Sequence, residues 1–259
     1  MRPCFPPVFY PPSGPGRPAL EAFTVLAAVA ARHPELRVGT LVARVTLRPR
    51  GSSRSGPPPS PRCRAPAPSS RWGPATGPRH PEHETFGIDL PPAPERIGIL
   101  RETVDALGAL FRGEAYAGGE HVPALTGPLV PPGSAERWVG GLSDRVMAVA
   151  ARSADAWNGW GLDAEAFGAA SARLRALSGD RAVPPTWGGI ALVGRDRAEL
   201  ERLSADRVAS GRSLDGVWTG TAAELRGFVE ALRAHGATWF VVLPVGPEDR
   251  LDLIADALR

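Results

Sequence analysis

Arg137-Trp-Val-Gly-Gly-Leu-Ser-Asp-Arg145, followed after a helical pattern by Asp155-Ala-Trp-Asn158, carries the reading of the fold. Arg137 to Gly141 is a short apolar strand that ends in glycines, Ser143 to Ser153 has helical spacing, and Asp155 to Asn158 is a second short strand. Strand, short connection, helix and strand form one βα repeat, and repeats of this kind imply a parallel sheet covered by helices. In such folds ligands gather at the C-terminal ends of the strands. Gly140 and Gly141 would let the backbone approach a ligand, the following helix offers free N–H groups, and Arg145 adds a positive charge, which together suit an anion. A glycine turn beside a surface arginine accounts for the same residues equally well.

Working outward, the alternation continues on both sides. Toward the C-terminus, Asp163 to Leu177 is helical, Thr186 to Val193 a strand and Arg197 to Ser210 helical. Thr221 to His235 is a helix whose Thr221 and Glu224 stand at capping-box spacing, with Gly236 closing it. Trp239 to Leu243 is the last buried strand and Leu251 to Leu258 the last helix. Toward the N-terminus, Gly118 to Gly133 is loop or short strand. Pro94 to Arg112 is an amphipathic helix carrying Ile97, Leu100, Val104, Leu107 and Leu110, with Phe111 beside it. Leu36 to Ala43 is apolar on both faces, as buried parallel strands are, and follows a helix over Pro18 to Arg32.

The chain has 259 residues, a length that α/β barrels commonly fill as one domain. It contains no run of the roughly 18 apolar residues that a membrane helix needs, and its first residues lack a signal peptide's apolar region. Cys4 and Cys63 both lie in proline-rich stretches, so neither a disulfide framework nor a thiolate metal site is indicated. These features predict a soluble cytoplasmic protein with no membrane partner. All 30 basic residues are arginine, and coding bias explains that better than affinity for nucleic acid.

Arg48 to Arg79 stands apart. It holds seven arginines, nine prolines, no acid and no Leu, Ile, Val, Phe or Met. Without those seven charges the formal net charge falls from +3 to −4, that of an ordinary slightly acidic enzyme. Such a stretch cannot bury a core and is expected to form no regular element. His80-Pro-Glu82-His83-Glu84 has metal-ligand residue types, but Pro81 breaks the helix that would align them, and it reads as a solvated loop. Trp138, Trp157, Trp160, Trp187, Trp218 and Trp239 read as core or pocket lining. No catalytic triad, Walker or dinucleotide-fold signature is present.

Several segments together resemble the luciferase-like monooxygenase family of barrel enzymes. They are Leu20 to Val29 with Leu36 to Val42, Glu82 to Asp89 with Glu95-Arg96, Trp138-Val-Gly-Gly141 with Ala154 to Asn158, Trp218 to Leu225, and Phe240 to Pro244. The resemblance implies an FMN- or coenzyme F420-dependent oxidoreductase of small molecules that performs hydride transfer or monooxygenation, with homodimers among intact relatives. It implies that Gly39, Thr40, Leu41 and Val42 lie under the cofactor ring, that Gly140, Gly141 and Arg145 hold its phosphate, and that Trp157 and Asn158 lie near the substrate pocket. No catalytic base is assigned.

The family expects a helix and then a glycine-rich strand where Arg48 to Arg79 stands. If each codon there is read from its third base, Ser52 and Ser53 can give Val or Leu, Arg54 gives Ala, and Gly56 to Ser60 can give Arg-Ala-Ala-Thr-Val. Cys63 to Ala65 then gives Val or Leu, Ser and Gly, while Ser69 to Ala75 gives Val-Val-Ala-Leu-Gly-Ala-Gly. The expected fold is therefore an incomplete (β/α)8 TIM-type barrel of the luciferase-like kind with a disordered Pro/Arg-rich insert. Residues 1–47 form an N-terminal αβ portion with an irregular, artificial start, 48–79 an out-of-frame segment, and 80–259 the C-terminal portion. About five of eight strands survive in this reading, near Leu36, Trp138, Ala156, Ile190 and Val241, which predicts poor solubility and impaired activity. The alternative is a catalytically dead remnant or a non-enzymatic binding protein.

Overall fold

In the computed structural model, residues 22–46, 70–73, 89–127 and 135–258 are described. The chain divides into two compact units, Met1–Ala156 and Trp157–Arg259. Both are built from parallel strands joined through helices. No described helix is long and apolar enough to cross a membrane.

The first unit contains α1 (Ala22–Arg32), β1 (Leu41–Arg44), β2 (Ser70–Gly73), α2 (Ala93–Phe111), β3 (Arg137–Gly140) and α3 (Asp144–Ser153). β2 lies between β1 and β3, parallel to both, with Arg44 level with Gly73 and Trp72 level with Val139. The expectation that Arg48 to Arg79 forms no regular element thus fails at Ser70–Gly73. Backbone pairing on both sides can seat a strand that is poor in apolar residues, because every residue carries the same donor and acceptor. The rest of that stretch and the His80 to Glu84 cluster lie outside the described residues.

α2 buries Leu100, Val104, Leu107 and Leu110 as its period requires, with Ile99 in place of the half-buried Ile97. Each buried leucine contributes about 1.5 to 3 kcal/mol. Glu102, on the same helix, is 4% exposed and accepts hydrogen bonds from the backbone N–H groups of Glu120, His121 and Val122 at 3.2, 2.7 and 2.8 Å. Burial pushes its carboxyl up, but the His121 and Val122 amides and Arg101 outweigh this and hold it below the usual range. Arg137 clips the start of β3 to the residue before β4 through a bidentate pair with Asp155 at 2.8 and 2.7 Å, and its third nitrogen reaches the Val104 carbonyl at 3.0 Å.

Crossing the boundary is β4 (Ala156–Trp160). The second unit continues with α4 (Ala164–Ser178), β5 (Pro185–Gly194), α5 (Arg197–Ala209), β6 (Val217–Thr221), α6 (Ala222–Ala234), β7 (Phe240–Pro244) and α7 (Arg250–Ala257). The long β5 is its spine. Gly188 pairs with both Trp160 and Val241, and Ile190 with both Val217 and Leu243, so β4 and β6 share one edge end to end while β7 takes the other. Ala191 and Val193 pack against Leu225 and Val229 of α6 and Ile254 and Ala257 of α7. The capping box at Thr221 and Glu224 is formed, and Asp163 and Asp196 cap α4 and α5.

Three expectations need correction. β1 begins at Leu41, not Leu36, which is 46% exposed. β7 is only half-buried: Leu243 within it is 42% exposed, and Trp239, read as its first residue, precedes it and is 37% exposed. Val217–Thr221, to which no element was assigned, is a strand, so the described residues hold seven strands instead of about five.

Three strands repeat a Trp-x-Gly pattern, Trp157-Asn-Gly159, Trp187-Gly-Gly189 and Trp218-Thr-Gly220. Alternate strand residues share a face, and each indole lies along the strand over its glycine, so a Cβ there would come under 3.0 Å from the ring. Gly189→Ala is therefore expected to cost about 1 to 3 kcal/mol by overpacking. Gly227→Ala, on the open side of α6 with nothing within 4 Å, should instead stabilise by about 0.5 to 1 kcal/mol. Denaturant midpoints of the two variants should move in opposite directions, and equal movement would remove the Trp-over-Gly explanation.

Candidate active site

β3 is buried through Trp138, Val139 and Gly140 and then breaks at Gly141, whose φ is +146°. A Cβ at Gly141 would stand 2.8 Å from Val146 Cγ1, so backbone conformation and close packing both require glycine. Ser143 follows in extended conformation and caps α3, its hydroxyl accepting from the Val146 N–H at 3.4 Å. Asp144 and Arg145 occupy the first turn, and Arg145 is exposed. Gly140, Gly141 and Arg145 are thus brought together at the C-terminal end of β3, where the backbone amides of a helix start and a guanidinium can face an anion.

The residues expected beneath a cofactor ring lie at and just before the start of β1. Gly39 and Thr40 precede β1, and Leu41 and Val42 form its first half, half-buried and joined by a cis peptide bond. Arg44, at the end of β1, is level with Gly73, one residue beyond the Trp72–Val139 pair. Gly140 therefore stands level with the end of β1, and Gly39 and Thr40 with the beginning of the sheet. Val45 and Thr46, which the sequence did not mark, follow β1 on the glycine-ended side. Thr40 is 5% exposed, and its hydroxyl has no hydrogen-bond partner.

Trp157 and Asn158 are separated by the alternation of β4. Trp157 turns to the helices, fully buried and stacked on Phe167 of α4 with ring centroids 5.9 Å apart. That is a packing role, not a place in a pocket. Asn158 faces the other way, beside Thr186 on β5, and both are buried polar residues. Asn158 Nδ2 donates to Thr186 Oγ1 at 2.9 Å, and Thr186 Oγ1 donates to the Trp157 carbonyl at 3.0 Å. Asn158 Oδ1 has no partner.

A cleft of about 300 Å³ opens in the second unit where β4 leaves the edge of β5 and β6 joins it. Leu162, Asp163, Trp187, Ile190, Trp218 and Thr219 are among its walls, and Trp187 Nε1 donates to the Leu162 carbonyl at 2.7 Å. None of the expected site residues lines it. Among the described residues no cluster of His, Cys, Asp and Glu could hold a metal ion.

Residues 71–243 match the model of the luciferase-like monooxygenase family. No curated protein matches the chain closely enough to count as a relative. Among solved structures, the chain is similar to EDTA monooxygenase from Chelativorans sp. BNC1, with 15% identity and a TM-score of 0.74 over 99% of this chain and 80% of that one. An F420-dependent secondary alcohol dehydrogenase, solved with an F420-acetone adduct, is similar at 11% identity with a TM-score of 0.75, covering 99% and 88%. A riboflavin lyase with modified FMN and riboflavin is similar at 14% identity with a TM-score of 0.71, covering 93% and 73%. At such identities the likeness shows the fold, and the α/β class expected from the sequence is the one found.

Proposed function

The chain belongs to the luciferase-like monooxygenase family, and from that membership we propose that it is a cytoplasmic oxidoreductase of a small-molecule substrate that works with FMN or coenzyme F420. The observation that carries this reading is the junction of β3 and α3. Buried Gly140 and half-buried Gly141 end the strand without side chains, α3 begins beside them, and exposed Arg145 would supply the charge that the phosphate of either cofactor needs. The solved relatives named above include one described with F420 and one with FMN, which supports leaving both open.

Among the described residues three buried side-chain oxygens have no partner, Thr40 Oγ1, Asn158 Oδ1 and Ser171 Oγ, and the first two bear on this reading. Polar atoms without partners are costly in a protein interior, and both Thr40 Oγ1 and Asn158 Oδ1 fall on positions expected near a cofactor or substrate. Leu41 and Val42 would floor the ring, Thr40 would give its hydroxyl to it, and Asn158 would face the substrate. When bound, a flavin or deazaflavin supplies the hydride or oxygen chemistry, while the protein orients the reacting partners and excludes water.

Arg145→Ala in a frame-restored chain is expected to weaken cofactor binding by about 1.5 to 3 kcal/mol, the scale of a hydrogen bond to a charged group. Titration with FMN and with coenzyme F420 measures it. Unchanged affinity for both would return Arg145 to the role of a surface residue. We propose further that residues 48–79 are out of frame and impair turnover, and sequencing the gene across this stretch tests that directly.

A further inference from the structure

Asn158 and Thr186 are directly paired in register on β4 and β5, on the face turned away from α4 and α6. Both are essentially inaccessible, at 0% and 1% exposure. Thr186 has one hydroxyl hydrogen, and it goes to the Trp157 carbonyl at 3.0 Å. Its oxygen can then only accept, and what it accepts is Asn158 Nδ2–H at 2.9 Å. An asparagine amide has two orientations that differ by exchanging nitrogen and oxygen, and the hydrogen-bond network decides between them. Here the hydroxyl fixes the nitrogen toward β5 and leaves Oδ1 as a buried acceptor without a partner.

Gly188 is the neighbour of Thr186 on the same face, and a Cβ there would lie 3.2 Å from Asn158 Oδ1 and 2.8 Å from the Trp160 ring. The missing side chain keeps the amide oxygen and the half-buried indole side by side, a polar atom next to an apolar wall.

We propose that Thr186 is a positioning residue that holds the Asn158 amide with its oxygen presented to the ligand, so this subsite takes a substrate group that donates a hydrogen bond. That group is a hydroxyl or an N–H. A carbonyl or ether oxygen at the same place would face Oδ1 lone pair to lone pair and is rejected. The inference rests on the reading that Asn158 borders the substrate pocket and adds to it the polarity of the substrate and the residue that sets it. Buried polar groups left unpaired are what make such sites selective.

The test uses the full chain with isotope-labelled asparagine side chains. The Asn158 amide signal, identified by its loss in Asn158→Leu, is followed by NMR during titration with 2-propanol and with acetone, which match in shape and differ in having a donor. The expected result is about tenfold tighter binding of 2-propanol, the worth of one well-made neutral hydrogen bond. Thr186→Val frees the amide to turn its nitrogen outward, so the preference should fall to about one, while Thr186→Ser should keep it. A loss of packing alone would not change the ratio of two probes of equal shape. Thr186→Cys, whose thiol is a weak donor and acceptor, should lower the ratio and serves if the valine variant does not fold. Equal affinity for the two probes, or a ratio that Thr186→Val and Thr186→Cys leave unchanged, overturns the proposal and leaves the pocket reading standing. An Asn158 signal that responds to neither probe overturns both.

Discussion

Arg250→Ala is expected to destabilise the second unit by about 3 to 5 kcal/mol, the cost of breaking a buried ion pair by removing one partner. The guanidinium is 1% exposed at the first position of α7. It donates to the Val193 carbonyl at the end of β5 at 2.8 Å, to Glu199 of α5 at 3.0 Å and to Asp249 at 2.9 Å. One side chain thereby joins a strand end to two helices. Its loss leaves a buried carbonyl without a donor and Glu199, 15% exposed, with only its Arg195 contacts and a distant Arg202.

The same cluster predicts an acid dependence. The Arg195 backbone N–H, then the Arg250 guanidinium, hold the Glu199 carboxyl down at about 2, against an ordinary value of 4.5. A carboxyl lowered in the folded state stabilises fully above its unfolded value, and that contribution is lost as pH falls through the folded value. Linkage sets about 3 kcal/mol as its upper bound, and solvent screening around the half-exposed Arg195 lowers it. Denaturant unfolding from pH 5 to pH 2 should show stability falling, with a shallower fall in Arg250→Ala. An unchanged midpoint in the variant would mean that solvent serves Glu199 and Val193 as well as Arg250 does.

Restoring the alternative frame between Arg48 and Arg79 is expected to strengthen binding of FMN or coenzyme F420 by a hundredfold or more, about 3 kcal/mol. Ser70–Gly73 already holds the strand position between β1 and β3, so the backbone place exists. What the alternative frame changes is the side chains. Ser69 to Ala75 would become Val-Val-Ala-Leu-Gly-Ala-Gly, a glycine-ended apolar strand beside Gly140, and the residues before it would regain helical apolar spacing. No single substitution supplies that many buried contacts. Soluble yield and cofactor affinity of the two chains are the comparison. Equal affinity would make the arginine-rich stretch a genuine insertion and not a shifted frame.

Much of this architecture was legible in the residues alone. Thr221 with Glu224, Ser143 and Asp163 mark helix starts because a short side-chain oxygen satisfies an amide that the helix leaves open, and that chemistry is local. The periodic leucines of α2 announced the face it buries, and Gly140-Gly141 announced a strand end. Order and spacing of short segments were enough to reach the family that residues 71–243 match.

Other features depend on partners distant in the chain. Ser70–Gly73 has no strand signal in its side chains and is a strand because two neighbours offer it a ladder. Arg250 and Glu102 have the residue types of exposed surface. They are buried because a carbonyl and carboxylates in one case, and three loop amides in the other, compensate the lost water. Trp157 and Asn158 read as a pair, yet the period of the strand sends one to the helices and the other to Thr186, 28 positions away. By itself the sequence determined where helices begin, which faces are apolar and which family the chain joins, since these follow from neighbours a few residues apart. Only the tertiary structure decided which polar atoms are buried and which of them, Asn158 Oδ1 and Thr40 Oγ1 included, stay unpartnered, because satisfaction of a buried group is settled by residues that folding brings together.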